Sequence, residues 1–208
     1  ELDWAALKEL GETTFYAHTE PEEAAARIAD AEIVLLNKTI LTAQALRQCR
    51  NLKLISIIAT GYNTVDLDCC RERGITVCNV PSYGSEAISQ HAIALLLELT
   101  NHAAHHDAEV RKGRSGGPGD WCFWDYSILE LEGKTAGIIG LGRIGKITAR
   151  ILRAFGMKIL AYDMEQDAAW ANADCRYTDL DTLYAASDVI FLHCPLFAGN
   201  QHMICRAS

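Results

Sequence analysis

Gly140, Leu141, Gly142, Arg143, Ile144 and Gly145 form a G-x-G-x-x-G run, and an acid, Asp163, stands 18 residues beyond Gly145. Each position has a mechanical reason. Gly140 allows a tight turn, Gly142 lets the backbone approach a pyrophosphate, and Gly145 lets a helix pack closely on a strand. The N–H groups at the start of the following helix, at Arg143 and Ile144, point at the phosphates and carry the positive end of its dipole. Asp163 is placed to accept hydrogen bonds from an adenosine ribose, where it would repel a 2′-phosphate by about 4 kcal/mol per unit charge at 4 Å and an effective dielectric near 20. Neither Met164 nor Glu165 supplies the arginine that would welcome that phosphate, so the pattern points to NAD rather than NADP.

Alone the run is weak, because roughly 0.07 chance matches are expected in a chain of this length at ordinary glycine content. Context strengthens it. An apolar strand, Thr135 to Gly140, leads in; a helix, Arg143 to Phe155, follows; and a second strand, Met157 to Tyr162, delivers the acid. The plainer alternative is a βαβ crossover with incidental glycines and a surface aspartate.

The same alternation runs through the rest of the chain. Thr13 to Tyr16 is a weak strand candidate and Pro21 to Ala29 a helix with an acidic first turn. Ala31 to Leu36 is a strand, Thr42 to Cys49 a helix capped by Thr42, and Leu54 to Ala59 an almost unbroken apolar strand. Asp66 to Arg73 is a helix closed by Gly74, and Ile75 to Val80 the next strand. Glu86 to Asn101 reads as one long, nearly all-apolar helix, expected to be buried in a domain or subunit contact, with plain core packing as the alternative. A glycine-rich loop at 113–120 precedes the aromatic cluster Trp121, Phe123, Trp124 and Tyr126. A helix at Asp179 to Ala186 and a strand at Val189 to His193 complete the pattern. The fold class is therefore α/β, with two Rossmann-like parallel-sheet domains, 1–81 and 82–208.

The formal net charge is −8, and no basic stripe exists to displace counterions from phosphates, which argues against nucleic acid or an anionic membrane as partner. The longest apolar run, Ala92 to Leu97, is far short of a membrane span, and the acidic start Glu1, Leu2, Asp3 does not read as a leader. A cytoplasmic location is expected. The eight cysteines form neither a C-x-x-C pair nor a zinc spacing and read as reduced thiols. His102 and His106 stand at i, i+4, but no third ligand is evident, so no metal is expected.

Taken together, several stretches resemble the D-isomer-specific 2-hydroxyacid dehydrogenases, with the greatest likeness to the glycerate dehydrogenase or hydroxypyruvate reductase branch. These are Ala59-Thr60-Gly61-Tyr62-Asn63-Thr64-Val65-Asp66, Asn79-Val80-Pro81, Gln90-His91, Trp121 to Tyr126, Gly140 to Gly145, and His193-Cys194-Pro195-Leu196. The resemblance implies a flavodoxin-like N-terminal substrate domain without its C-terminal return segment, followed by an NAD-binding Rossmann domain incomplete after its fourth strand. It implies that the loop at Thr60 and Gly61 binds the substrate carboxylate and borders the nicotinamide. An ordinary turn is the alternative there. Asn63, where many members have Asp, resembles the glycerate branch. His193, Cys194 and Pro195 match the stretch lining the cofactor, with His193 either a contact or a hydrogen-bonded structural imidazole. The helix near 86–101 matches the one that joins subunits in family dimers.

Reducing a 2-keto acid also needs a cation for the carboxylate and carbonyl, a general acid, and a carboxylate that tunes the acid. The family uses an Arg, a His and a Glu, and the resemblance places all three downstream of Ser208, so no catalytic residue is assigned here. His202 and Arg206 do not match those positions. The expectation is an NAD-dependent oxidoreductase acting on a small 2-hydroxy or 2-keto acid, the 208 residues being a fragment inactive by itself. The competing expectation is an NAD-sensing, corepressor-like interaction protein of the same fold.

Overall fold

The computed structural model describes residues 4–117 and 119–206, so Glu1 to Asp3, Pro118 of the glycine-rich loop, and Ala207 with Ser208 lie outside the described residues. Two compact units result, one ending at Tyr83 and the other beginning at Gly84. Both are α/β units built on parallel sheets.

The first unit pairs β1 (Ile33–Leu36), β2 (Leu54–Ile57) and β3 (Thr76–Asn79) in chain order, all parallel. Its helices are α1 (Ala5–Glu9), α2 (Pro21–Ile28), α3 (Ala43–Gln48) and α4 (Leu67–Glu72). Ile55 and Ile57 of β2 are wholly buried against Ala24, Leu46, Cys49 and Cys70, so the middle strand is covered by the crossover helices. Helix starts follow local chemistry: the Thr42 side chain accepts from Ala45 N at 3.2 Å and Asp66 accepts from Cys69 N at 2.9 Å. Thr13 to Tyr16 forms no strand. Phe15 lies against Trp4, and Tyr16 lies under the Arg27 guanidinium of α2, 4.3 Å from the ring centre; these contacts hold the segment outside any ladder.

The second unit contains α5 (Ser85–Asn101), α6 (Ala103–Arg111), β4 (Thr135–Ile139), α7 (Arg143–Ala154), β5 (Lys158–Tyr162), β6 (Cys175–Tyr177), α8 (Leu180–Ala186) and β7 (Val189–Leu192). The parallel sheet runs β6-β5-β4-β7, the 3-2-1-4 order of a Rossmann half plus its switch strand. Strand residues alternate between two layers. Ala136, Ile138, Ile159 and Ala161 pack with Ala149 and Leu152 of α7, while Ile139 and Leu160 pack with Leu183 of α8. The three-residue β6 escapes sequence reading because it is too short to show alternation.

Helix α5 ends at Asn101 as expected but is buried less than expected. It buries a stripe, Ser85, Ser89, Ile93, Leu96 and Thr100, while Leu95 and Leu99 are 53% and 71% exposed. Within its unit it packs chiefly on α7, and one neighbour covers only one stripe of a helix. After it His102 sits in the left-handed region at φ 51°, and α6 starts immediately beyond. The sequence reading missed α6, a polar helix supported by the Arg111–Asp107 and Lys112–Glu109 pairs, each 2.7 Å.

Among the described residues no helix is long and apolar enough to cross a membrane. Nor do they gather three or more His, Cys, Asp or Glu side chains that could hold a metal ion. The His102 ring lies 4.5 Å from that of Tyr126, and Nδ1 of His106 bonds the His102 carbonyl at 2.8 Å.

Candidate functional site

In the second sheet Ile139 is level with Tyr162 on one side and with Leu192 on the other. The next residue of each strand, Gly140, Asp163 and His193, therefore emerges side by side at the carboxyl edge. The chain has laid β5 and β6 on one flank of β4 before returning to place β7 on the other, so the glycine loop lies at the point where strand order reverses. Such an edge leaves a crevice between outgoing loops.

The glycines show what that crevice requires. Gly140 turns at φ +94°, and a Cβ there would lie 2.6 Å from Cys194 N. A Cβ at Gly145 would lie 2.2 Å from the Gly140 carbonyl oxygen, so the first turn of α7 sits directly on the loop. At Gly142 a Cβ would meet nothing within 4 Å. The two outer glycines are thus fixed by protein, and the middle one faces open space. Gly142 is also the residue preceding α7 and has no side chain to cap the N–H groups of the first turn, which include those of Arg143 and Ile144. This open face backed by a helix start fits a diphosphate.

Asp163, half-buried, follows β5, and its Oδ1 accepts from Glu165 N at 3.3 Å in a local turn. On the other flank His193 N donates to Ile139 O at 2.8 Å, and Nε2 lies 3.0 Å from the hydroxyl of the wholly buried Thr148. Burial pushes the His193 imidazole below its ordinary range and favours the neutral ring. The carbonyl of Pro195 accepts from Asn200 Nδ2 at 2.8 Å, and the same amide lies 3.7 Å from Cys194 Sγ, which ties the His-Cys-Pro stretch down. The crevice thus gathers Gly140 to Gly145, Asp163, His193, Cys194 and Pro195. Thr148, which holds His193, was missed; its only signal is its place three residues after Gly145 on the buried stripe of α7.

Thr60 and Gly61 belong to the other unit, in the exposed loop after β2. The Thr60 hydroxyl donates to Val80 O at 3.0 Å, and Asn79 Nδ2 donates to Thr60 O at 2.8 Å. A loop pinned through its side chain and carbonyl presents backbone N–H groups at the carboxyl end of a central parallel strand.

A cavity of about 490 Å³ lies elsewhere on the second unit, lined by residues that include Asn101, His106, Arg114, Cys122 and Phe123. It contains none of the crevice residues. Its wall is organised by Asp125, whose carboxylate takes Arg114 at 2.6 and 2.8 Å and His105 at 2.7 Å. Those partners hold the carboxyl well below the usual range, Arg114 first and His105 second.

Residues 93–208 match the family model of the D-isomer specific 2-hydroxyacid dehydrogenase, NAD binding domain. The chain belongs to that family. It is 47% identical over 207 residues to a hydroxypyruvate reductase of Blautia hydrogenotrophica, covering 98% of this chain and 64% of that protein. It is 37% identical over 185 residues to a glycerate dehydrogenase of Methylorubrum extorquens, covering 88% of this chain and 56% of that protein. Among solved structures, a D-lactate dehydrogenase from Aquifex aeolicus complexed with NAD and lactic acid superposes with a TM-score of 0.75 at 34% identity, covering 86% of this chain and 53% of that one. The chain thus spans about two thirds or less of the length of these family members. Its dinucleotide-binding unit and its parallel-sheet architecture are those of the family, and NAD is the cofactor that this domain takes.

Proposed function

We propose that the chain serves an NAD-dependent oxidoreductase that interconverts a D-2-hydroxy acid and its 2-keto acid, of the glycerate and hydroxypyruvate type. The observation that carries this reading is the level placement of Gly140, Asp163 and His193 at one sheet edge. NAD supplies the hydride chemistry when bound. The chain's own residues position it: N–H groups at Arg143 and Ile144 take the diphosphate, Asp163 the ribose hydroxyls, and His193 to Pro195 line the crevice. In the first unit the backbone N–H groups at Thr60 and Gly61 take the substrate carboxylate, with Asn63 beside them favouring the glycerate type.

No proton-transfer role is assigned to His193, since its Nε2 is engaged with Thr148 and burial disfavours its charged form. The outward residues of α5, Ile88, Leu95 and Leu99, are the face through which two copies form a homodimer. Among the described residues the cysteines form no disulfide, which suits a reducing, cytoplasmic setting.

The test is a fluorescence titration with NADH and NADPH. The wild-type chain binds NADH more tightly, and Asp163→Ala narrows that preference by about tenfold or more. Absence of NADH binding, or a preference untouched by Asp163→Ala, removes the reading.

A further inference from the structure

The segment after β5 is fastened to α7 by one ion pair. Lys146, the residue after Gly145, donates from Nζ to Asp167 Oδ2 at 2.6 Å. Asp167 lies four residues beyond Asp163, so the pair joins the two arms of the dinucleotide crevice. The aspartate is held at three points: Oδ1 accepts from Ala169 N at 3.0 Å, and its own N–H donates to the Tyr177 hydroxyl at 3.0 Å. The Trp170 ring centre lies 5.9 Å from the lysine nitrogen and limits where the ammonium can go.

A pair with side chains 31% and 40% exposed adds little to stability. Its effect on the local field is a separate matter. Lys146 directly follows Gly145 and its partner Asp167 lies four residues beyond Asp163, so the ammonium is held between the glycine loop and the segment that carries the acid assigned to the ribose. A free ammonium there would attract a phosphate on the ribose 2′ position. Bonded to Asp167 it is neutralised, and the hydrogen-bonded aspartate fixes it in place.

We propose that the Lys146–Asp167 pair is a second determinant of cofactor choice: Asp167 withholds Lys146 from a 2′-phosphate, so that NAD selection is shared between Asp163 and this clamp. The inference rests on the assignment of the Gly140–Asp163 crevice to the dinucleotide. It concerns the positioning of a cation and no step of the reaction.

The experiment measures dissociation constants for NADH and NADPH by fluorescence, at low and high salt, for wild type, Asp167→Asn, Lys146→Met and the double variant. Asp167→Asn keeps an oxygen for Ala169 N while removing the charge. It should strengthen NADPH binding about three- to tenfold and change NADH binding less than about twofold. High salt should shrink that gain and Lys146→Met should abolish it. An unchanged NADPH-to-NADH ratio in Asp167→Asn, or a gain that survives Lys146→Met, overturns the proposal. If Asp167→Asn does not fold, Asp167→Ser, which keeps an oxygen for Ala169 N, takes its place with the same expected gain for NADPH, and an unchanged NADPH-to-NADH ratio overturns the proposal. Wild-type protein that binds neither dinucleotide removes the crevice assignment and the clamp with it, whereas wild type that binds NADH with an unmoved ratio in the variants removes the clamp only.

Discussion

Nε2 of His193 and the hydroxyl oxygen of Thr148 lie 3.0 Å apart, which ties the end of β7 to the middle of α7 behind the glycine loop. Burial lowers the histidine below its ordinary value of 6.5 in the folded chain, while the unfolded chain takes up a proton near that value. Stability from the neutral ring is therefore fully present above about pH 6.5 and is lost as pH falls through the lower folded value. His193→Gln keeps a hydrogen-bonding group and removes the titration. Urea unfolding from about pH 8 down to about pH 5 should show the wild type losing its advantage over this variant on the acid side. A difference that stays constant with pH contradicts the buried neutral ring.

Gly142 and Gly145 should respond oppositely to one added methyl group. At Gly145 the carbon meets the Gly140 carbonyl oxygen at 2.2 Å, a main-chain atom, so Gly145→Ala should cost about 1–3 kcal/mol in thermal unfolding. At Gly142 it meets nothing within 4 Å, so Gly142→Ala should cost only the poorer N-cap preference of alanine, about 0.5 kcal/mol. Its NADH affinity should nevertheless fall by about tenfold or more, because the methyl group occupies the space a pyrophosphate approaches. Equal loss of stability in the two variants would mean that the open face has been misassigned.

Thr64, three residues past Gly61, carries a hydroxyl oxygen that is buried with no hydrogen-bond partner among the described residues. Replacing it with the isosteric valine removes an unsatisfied polar atom and should raise stability by about 1 kcal/mol. Thr64→Ser, which keeps the hydroxyl and deletes the methyl, should lower it. Calorimetry on the two variants gives the signs directly.

Much of this was legible in the sequence wherever a single local rule decides the outcome. The apolar runs at 54–57 and 135–139, the cap at Thr42, and the glycine spacing at 140–145 each carry their own signal over a few residues. What escaped depends on neighbours far along the chain. Thr13 to Tyr16 has strand composition, but its aromatic rings pack on Trp4 and Arg27. Helix α6 buries none of its residues and so carries no apolar stripe to announce it. Thr148 meets His193 across 45 residues and Lys146 meets Asp167 across 21, distances over which no pattern read along the chain pairs two polar side chains.

The atoms nearest a carbon added at Gly140 are main chain: Cys194 N at 2.6 Å and the His193 carbonyl carbon at 2.7 Å. Exchanging the side chains at 193 or 194 leaves both atoms where they are. A heavier residue at 140 therefore has no compensating partner among single replacements, and a suppressor would have to redraw the backbone that follows β7. The glycine and the neighbouring loop are bound to vary together or not at all.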